Sequence, residues 1–278
     1  MSTTTAVKPR GTHPPSLAPL GRLTSGVGAT VISLAAGAVL WEIVARIWNV
    51  RWLPPLSAVL VRLGELTAQG SILSALGNSL LNLAIGFTVS LVFGVGIGLL
   101  MGAYREVEMA LDWWVYALDT APGLVFAPIF FAIWGLGPIP IIAVIVMYAI
   151  FTIIVNTVAA IRTVPAPLIE MGRAYCASDR QLFFRIILPA ATPLIMAGVR
   201  IGMGKAVKGM INGEMFIAAV GLGAVMINAG RRFDSPAIFA ILIVTIVVAT
   251  VTVKIVQLVD ARLTAWLPAT QRRRRANG

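Results

Sequence analysis

The sequence predicts an all-α integral membrane protein with six transmembrane helices, on three observations. Hydrophobic residues make up 58% of the chain and charged ones only 12%, and mean hydropathy is +0.90; soluble domains do not carry that balance. Runs of about 20 apolar residues, the length a helix needs to cross a bilayer, recur along it. Most of the basic residues gather in tails and connections, the pattern of a positive-inside bias.

The same counts exclude several function classes. A net charge of +11 would suit nucleic acid, but its placement in loops argues against that partner. One cysteine, Cys176, and one histidine, His13, rule out an internal disulfide or a Cys/His-built metal site. No catalytic constellation, no metal site and no cofactor site are expected. Gly202-Met-Gly-Lys205 lacks the leading glycine and the Ser/Thr of a phosphate loop and lies inside an apolar run. Any energy source must come from another chain.

Residues 1–25 hold Lys8, Arg10 and Arg22 among Ser, Thr, Pro and Gly, and read as a disordered basic cytoplasmic tail. A transmembrane domain is expected over 26–265, followed by a second basic tail, 266–278, with Arg272–Arg275. The first span is expected at 26–47. A polar connection through Trp52-Leu-Pro-Pro55 and a short amphipathic helix at 57–68 follow. The second span, 77–103, carries Gly94, Gly98 and Gly102 at four-residue spacing, which lets helices approach closely in lipid. The third, 109–134, is interrupted: Pro122-Gly123 and Pro128 remove backbone donors, and Asp119 lies just before the break. A Gly-Leu-Gly-Pro turn opens the fourth span, 138–160, which ends near Asn156-Thr157. The fifth is expected at 190–220 and the sixth at 236–260. Six spans put both termini on one side, and the distribution of Lys and Arg makes that side cytoplasmic.

Between spans four and five lies a charged island, 163–189, reading as two short helices. Pro165 and Pro167 suit the start of the first, and Glu170 is expected in its opening turn. Ser178 and Gln181 fit a capping box for the second, and Leu182, Phe183, Ile186 and Ile187 give it an apolar stripe. Pro189 is expected to end it. An organised loop in that position is built to be gripped.

The fifth span carries Arg200, Lys205, Lys208, Asn212 and Glu214. Ionisable groups in lipid face protein or water. Lys205, Lys208 and Asn212 share one helical face, and Glu214 lies on another. Two readings stay open here. The cations pair with Asp119, Asp112 or carbonyls of neighbouring spans, or they line an aqueous path attractive to anions.

Glu170, followed at fixed distance by Ile186-Ile-Leu188-Pro189, resembles the cytoplasmic loop of permease subunits in binding-protein-dependent ABC importers. Met171 and Gly172 stand where that pattern has two alanines, and Cys176 stands at its glycine. Leu-Pro-x-x-x-Pro-Leu-Ile (188–195) and Gly-Glu-Met-Phe (213–216) before Gly-Leu-Gly extend the resemblance to about residues 75–265, nearest the nitrate/sulfonate/taurine-type group. The resemblance implies a type I ABC importer permease fold in the bacterial cytoplasmic (inner) membrane. Its implied partners are a second permease copy, two ATP-binding subunits and an extracytoplasmic substrate-binding protein. Glu170, Met171, Gly172, Arg173, Ala174, Tyr175, Cys176 and Asp179 would form the ATPase-coupling segment. Asp119, Pro122, Asn156, Lys205, Lys208, Asn212 and Glu214 are the expected translocation-path residues, for a small anion of the sulfonate, nitrate or organic-acid type. The alternative is an ATP-independent secondary carrier, which would show inverted repeats.

Overall fold

The computed structural model describes residues 26–217 and 219–265. The two tails expected at 1–25 and 266–278 lie outside the described residues. The chain forms two compact units, one ending at Ser57 and one beginning at Ala58. The first holds α1 (Gly26–Trp48) and the turn after it. There Trp41 Nε1 donates to the Pro54 carbonyl at 3.1 Å. The Glu42 carboxylate accepts from Arg46 at 2.7 Å and from the backbone N–H and hydroxyl of Ser57 at 3.0 and 2.8 Å.

The second unit contains all but the first two residues of the amphipathic helix α2 (Leu56–Ala68) and the long helices α3 (Ser71–Ala103), α6 (Pro138–Arg162), α9 (Leu188–Ile217) and α11 (Ser235–Leu263). Between α3 and α6 run α4 (Arg105–Thr120), a 3₁₀ turn (Gly123–Phe126) and α5 (Ala127–Trp134). Among the described residues five helices are long and apolar enough to cross a membrane. The span expected third, at 109–134, falls on the bent pair Arg105–Thr120 and Gly123–Trp134, which turns by 96° at its break. Pro122 explains the bend, because proline cannot supply the N–H that would continue α4.

Packing centres on α6, clamped between glycine faces of two neighbours. On α3, Gly86, Gly94, Gly98 and Gly102 lie against Ile145, Ile153, Thr157 and Ile161. Both series rise together, so α3 and α6 run parallel. On α9, Gly198, Gly202, Gly209 and Gly213 meet Asn156, Ile153, Tyr148 and Ile141, a falling series and therefore an antiparallel pair. A methyl group on Gly98 would come within 2.6 Å of Thr157 Cβ, so absent side chains set the helix spacing. In lipid, where apolar burial gives helices little reason to associate, such close packing is what holds them.

Polar ties fix the remaining elements. Asp234 caps α11 through the Ala237 N–H at 3.1 Å and also receives the Arg62 guanidinium of α2 at 2.7 Å. Hydrogen bonds to Glu65 and Asp234 raise the Arg62 pKa further above its ordinary range, so this tie stays charged. Arg200 pairs with Asp260 of α11 at 3.0 Å. Arg162 at the end of α6 pairs with Glu108 of α4.

Two features differ from expectation. Pro189 does not end the second loop helix: α8 (Asp179–Leu182) passes through a π turn (Phe183–Ile187) straight into α9. The Leu188 N–H reaches back to the Phe183 carbonyl, and this wider turn carries the chain past a residue with no donor. The sequence reading also missed α10 (Gly221–Arg231), because its Gly-Leu-Gly start reads as a turn.

Candidate functional site

The first candidate region is the loop between α6 and α9. Helix α7 (Ala166–Ala174) begins with Pro165 as its cap and Pro167 in its first turn. Glu170 lies beyond that first turn, so helix-end charge is not what places it. The buried side of α7 is Gly172, where an added methyl would meet Ile186 and Leu182 side chains at 2.6 and 2.7 Å. α7 therefore rests directly on α8 and the π turn. Its other side is open: Glu170, Met171, Arg173, Ala174 and Tyr175 are exposed, Tyr175 to 83%.

The corner is a left-handed helix stop. Cys176 has φ +54°. Its N–H donates to the Arg173 carbonyl at 2.9 Å, and the Ala177 N–H reaches Gly172 at 3.1 Å. These are the two bonds of a Schellman motif, which glycine usually completes. Cysteine thus takes the conformation without glycine's freedom, at a cost of about 1–2 kcal/mol. The capping box then starts α8: the Gln181 N–H donates to Ser178 Oγ at 3.4 Å and the Ser178 N–H to Gln181 Oε1 at 3.0 Å. Asp179 opens α8 and is exposed.

The second region is a polar seam where α4 breaks against α6 and α9. Asp119 Oδ1 accepts from Lys205 Nζ at 3.1 Å and from the Thr152 hydroxyl at 2.7 Å. Pro122 is exposed at the break. The Tyr148 ring covers Gly123, where a methyl would lie 2.7 Å from Cε2, and its hydroxyl accepts from Asn212 Nδ2 at 2.8 Å. Asn156 Nδ2 donates to the Thr152 carbonyl at 2.8 Å, and its side chain packs on Gly198. Lys208 is exposed and makes no hydrogen bond or ion pair with any described residue.

Of the two readings of the cations, only the pairing one is met here, and of the two lysines for Lys205 alone. Lys205 is neutralised by Asp119 across helices, while Lys208 has no such partner among the described residues. Glu214 stands apart from both, with 0% exposure. Its Oε2 accepts from the Gly223 N–H at 3.0 Å, and it sits over Gly221, whose φ is +80°. Ser79 of α3 accepts from the adjoining Leu222 N–H at 2.9 Å. Glu214 thus fastens the start of α10 and does not face the seam. Tyr148 and Thr152 went unnoticed in the sequence, although with Asn156 they make a polar row at four-residue spacing on an apolar helix.

Residues 94–265 match the model of the binding-protein-dependent transport system inner membrane component family. The chain belongs to that family. It is a permease subunit of an ABC importer and a multi-pass membrane protein. A probable ABC transporter permease of Brucella melitensis is 31% identical over 88% of this chain and 99% of its own length. A putative aliphatic sulfonates transport permease of Bacillus subtilis is 29% identical over 82% of this chain and 83% of its own. A nitrate import permease of Synechocystis is 34% identical over 68% and 66% respectively. The fold is that of a methionine ABC transporter solved in inward-facing conformations, with a TM-score of 0.62 at 18% identity, covering 69% of this chain and 96% of that one.

Proposed function

We propose that this permease subunit forms, with a second copy of itself, the membrane path for a small anion of the sulfonate, nitrate or organic-acid type. An external binding protein delivers the substrate. Two ATP-hydrolysing subunits, with no site for ATP on this chain, grip the segment from Glu170 to Asp179 on the cytoplasmic side, where both termini also lie. The exposed side of α7, braced from behind by Leu182 and Ile186, suits a rigid lever for domain-scale motion.

The observation that carries the anion assignment is Lys208. An unpaired ammonium in a spanning helix is expensive against lipid, so it faces water or cargo, and a cation there favours anions. Lys205 and Asn212, which share the helical face of Lys208, reach Asp119 and Tyr148 respectively. Substituting Lys208→Gln in the reconstituted importer should cut anion uptake roughly tenfold, the effect of about 1.4 kcal/mol. Expression and ATPase co-purification should be unchanged. Uptake that persists with Gln at 208 sinks the anion assignment, and gradient-driven uptake by this chain without any ATPase favours the secondary carrier.

A further inference from the structure

We propose that the groove between the end of α3 and the α8–π turn is a binding site for an anionic phospholipid, holding the headgroup at Arg180 and Arg185. The site has two neighbouring compartments that share wall residues. The larger is an apolar groove of about 910 Å³ whose walls include Gly96, Leu99 and Leu100 of α3 and Phe183, Phe184 and Ile187 of the π turn. The smaller, about 460 Å³, is lined by Ser178, Arg180, Gln181, Phe184 and Arg185. Arg180 and Phe184 line both, so a molecule whose apolar tail lies in the groove has its polar head within reach of the smaller compartment around those two side chains.

Charge decides which head it carries. Neither Arg180 nor Arg185 makes an ion pair or side-chain hydrogen bond with a described residue, and no acidic side chain lines the smaller compartment. Asp179 is on the wall of the groove and leaves a net positive mouth, since both arginines remain unneutralised. Guanidinium groups suit phosphate because their donors match its oxygens in pairs. A neutral acyl chain suits the groove, and Phe184, 57% exposed, stands at the junction as the wedge between head and tail. The π turn that places these side chains is a helix irregularity frequent at functional sites. The occupant is therefore a lipid of the leaflet at this end of the bundle, the cytoplasmic one if the loop faces inward as proposed above. A bound lipid would tie α8 to α3 and stiffen the base on which α7 rests.

The test is lipid binding by the purified full-length chain, read by native mass spectrometry with phosphatidylglycerol and phosphatidylcholine of matched chains. Wild type should prefer phosphatidylglycerol, and Arg180→Gln with Arg185→Gln should reduce that preference by about thirtyfold, the factor two basic groups contribute at a membrane surface. Gly96→Leu provides a second arm. A methyl at Gly96 meets nothing within 4 Å, so the longer side chain should enter the groove without disturbing the fold and weaken both lipids. Equal binding of the two lipids by wild type, or a preference that survives loss of both arginines, overturns the proposal. Displacement of the lipid by millimolar inorganic phosphate with no effect of Gly96→Leu would also overturn it, because the site would then read a free anion. Since neither readout involves transport, its failure leaves the importer assignment untouched.

Discussion

Replacing Cys176 by glycine should make the corner of the loop more stable. The residue holds φ +54° to close the two Schellman bonds, from Cys176 to Arg173 and from Ala177 to Gly172. Relieving a left-handed non-glycine residue returns about 1–2 kcal/mol. Glycine gives back roughly 0.4–1 kcal/mol of that through the greater freedom of the unfolded segment. The net gain is about 0.5–1 kcal/mol, a two- to fivefold smaller population of the opened corner. Hydrogen exchange of the peptide covering 172–182 reads it directly through the Ala177 amide. Cys176→Val is the counterpart, since a β-branched side chain is poorly tolerated at positive φ and should speed exchange. The expected order of protection is Gly, then Cys, then Val. Equal exchange in all three, or faster exchange with glycine, would show that the corner is not left-handed and that the reasoning fails.

Three further predictions concern the membrane part. Gly98→Ala should lower thermal stability by about 1–3 kcal/mol, because its methyl would crowd Thr157, whereas Gly96→Ala, which faces open space, should be close to neutral in the same melting assay. Asp119→Asn and Lys205→Met, combined in a double-mutant cycle on unfolding, should show a coupling of about 1 kcal/mol. The pair is partly exposed, at 28% and 36%, which keeps the value below that of a fully buried pair; additive effects would mean the ion pair is not formed. Gly221→Ala should destabilise by about 1–3 kcal/mol, since φ is +80° and the Glu214 carboxylate occupies the space a methyl would need. Protein that melts unchanged would remove Glu214 as the anchor of α10.

Much of the membrane architecture was legible in the sequence because lipid imposes simple local rules. The α2 amphipathic helix, the break at Pro122 and the Ser178–Gln181 capping box all depend on residues within a turn or two of one another. Where a signal was weak or contradictory, reading failed. Gly221-Leu-Gly223 hid the start of α10 because glycine suits a turn as well as the space beneath Glu214. Pro189 suggested a stop, and only the wider hydrogen-bond register from Phe183 to Leu188 shows how the helix passes it.

The sequence alone determined which helix faces must approach neighbours, that charges in the fifth span must face protein or water, and that an organised loop separates spans four and five. Helical spacing contains that information because it groups side chains by face. It does not contain the partner. That Gly98 meets Thr157, that Asp119 neutralises Lys205 and not Lys208, and that Glu214 turns away to fasten α10 were decided by tertiary packing. Such pairings join residues as far apart as 86 positions, and chain periodicity decays long before that distance. What selects among the possible partners is the close fit of glycine faces around α6, a property of the folded helices together and of no single one.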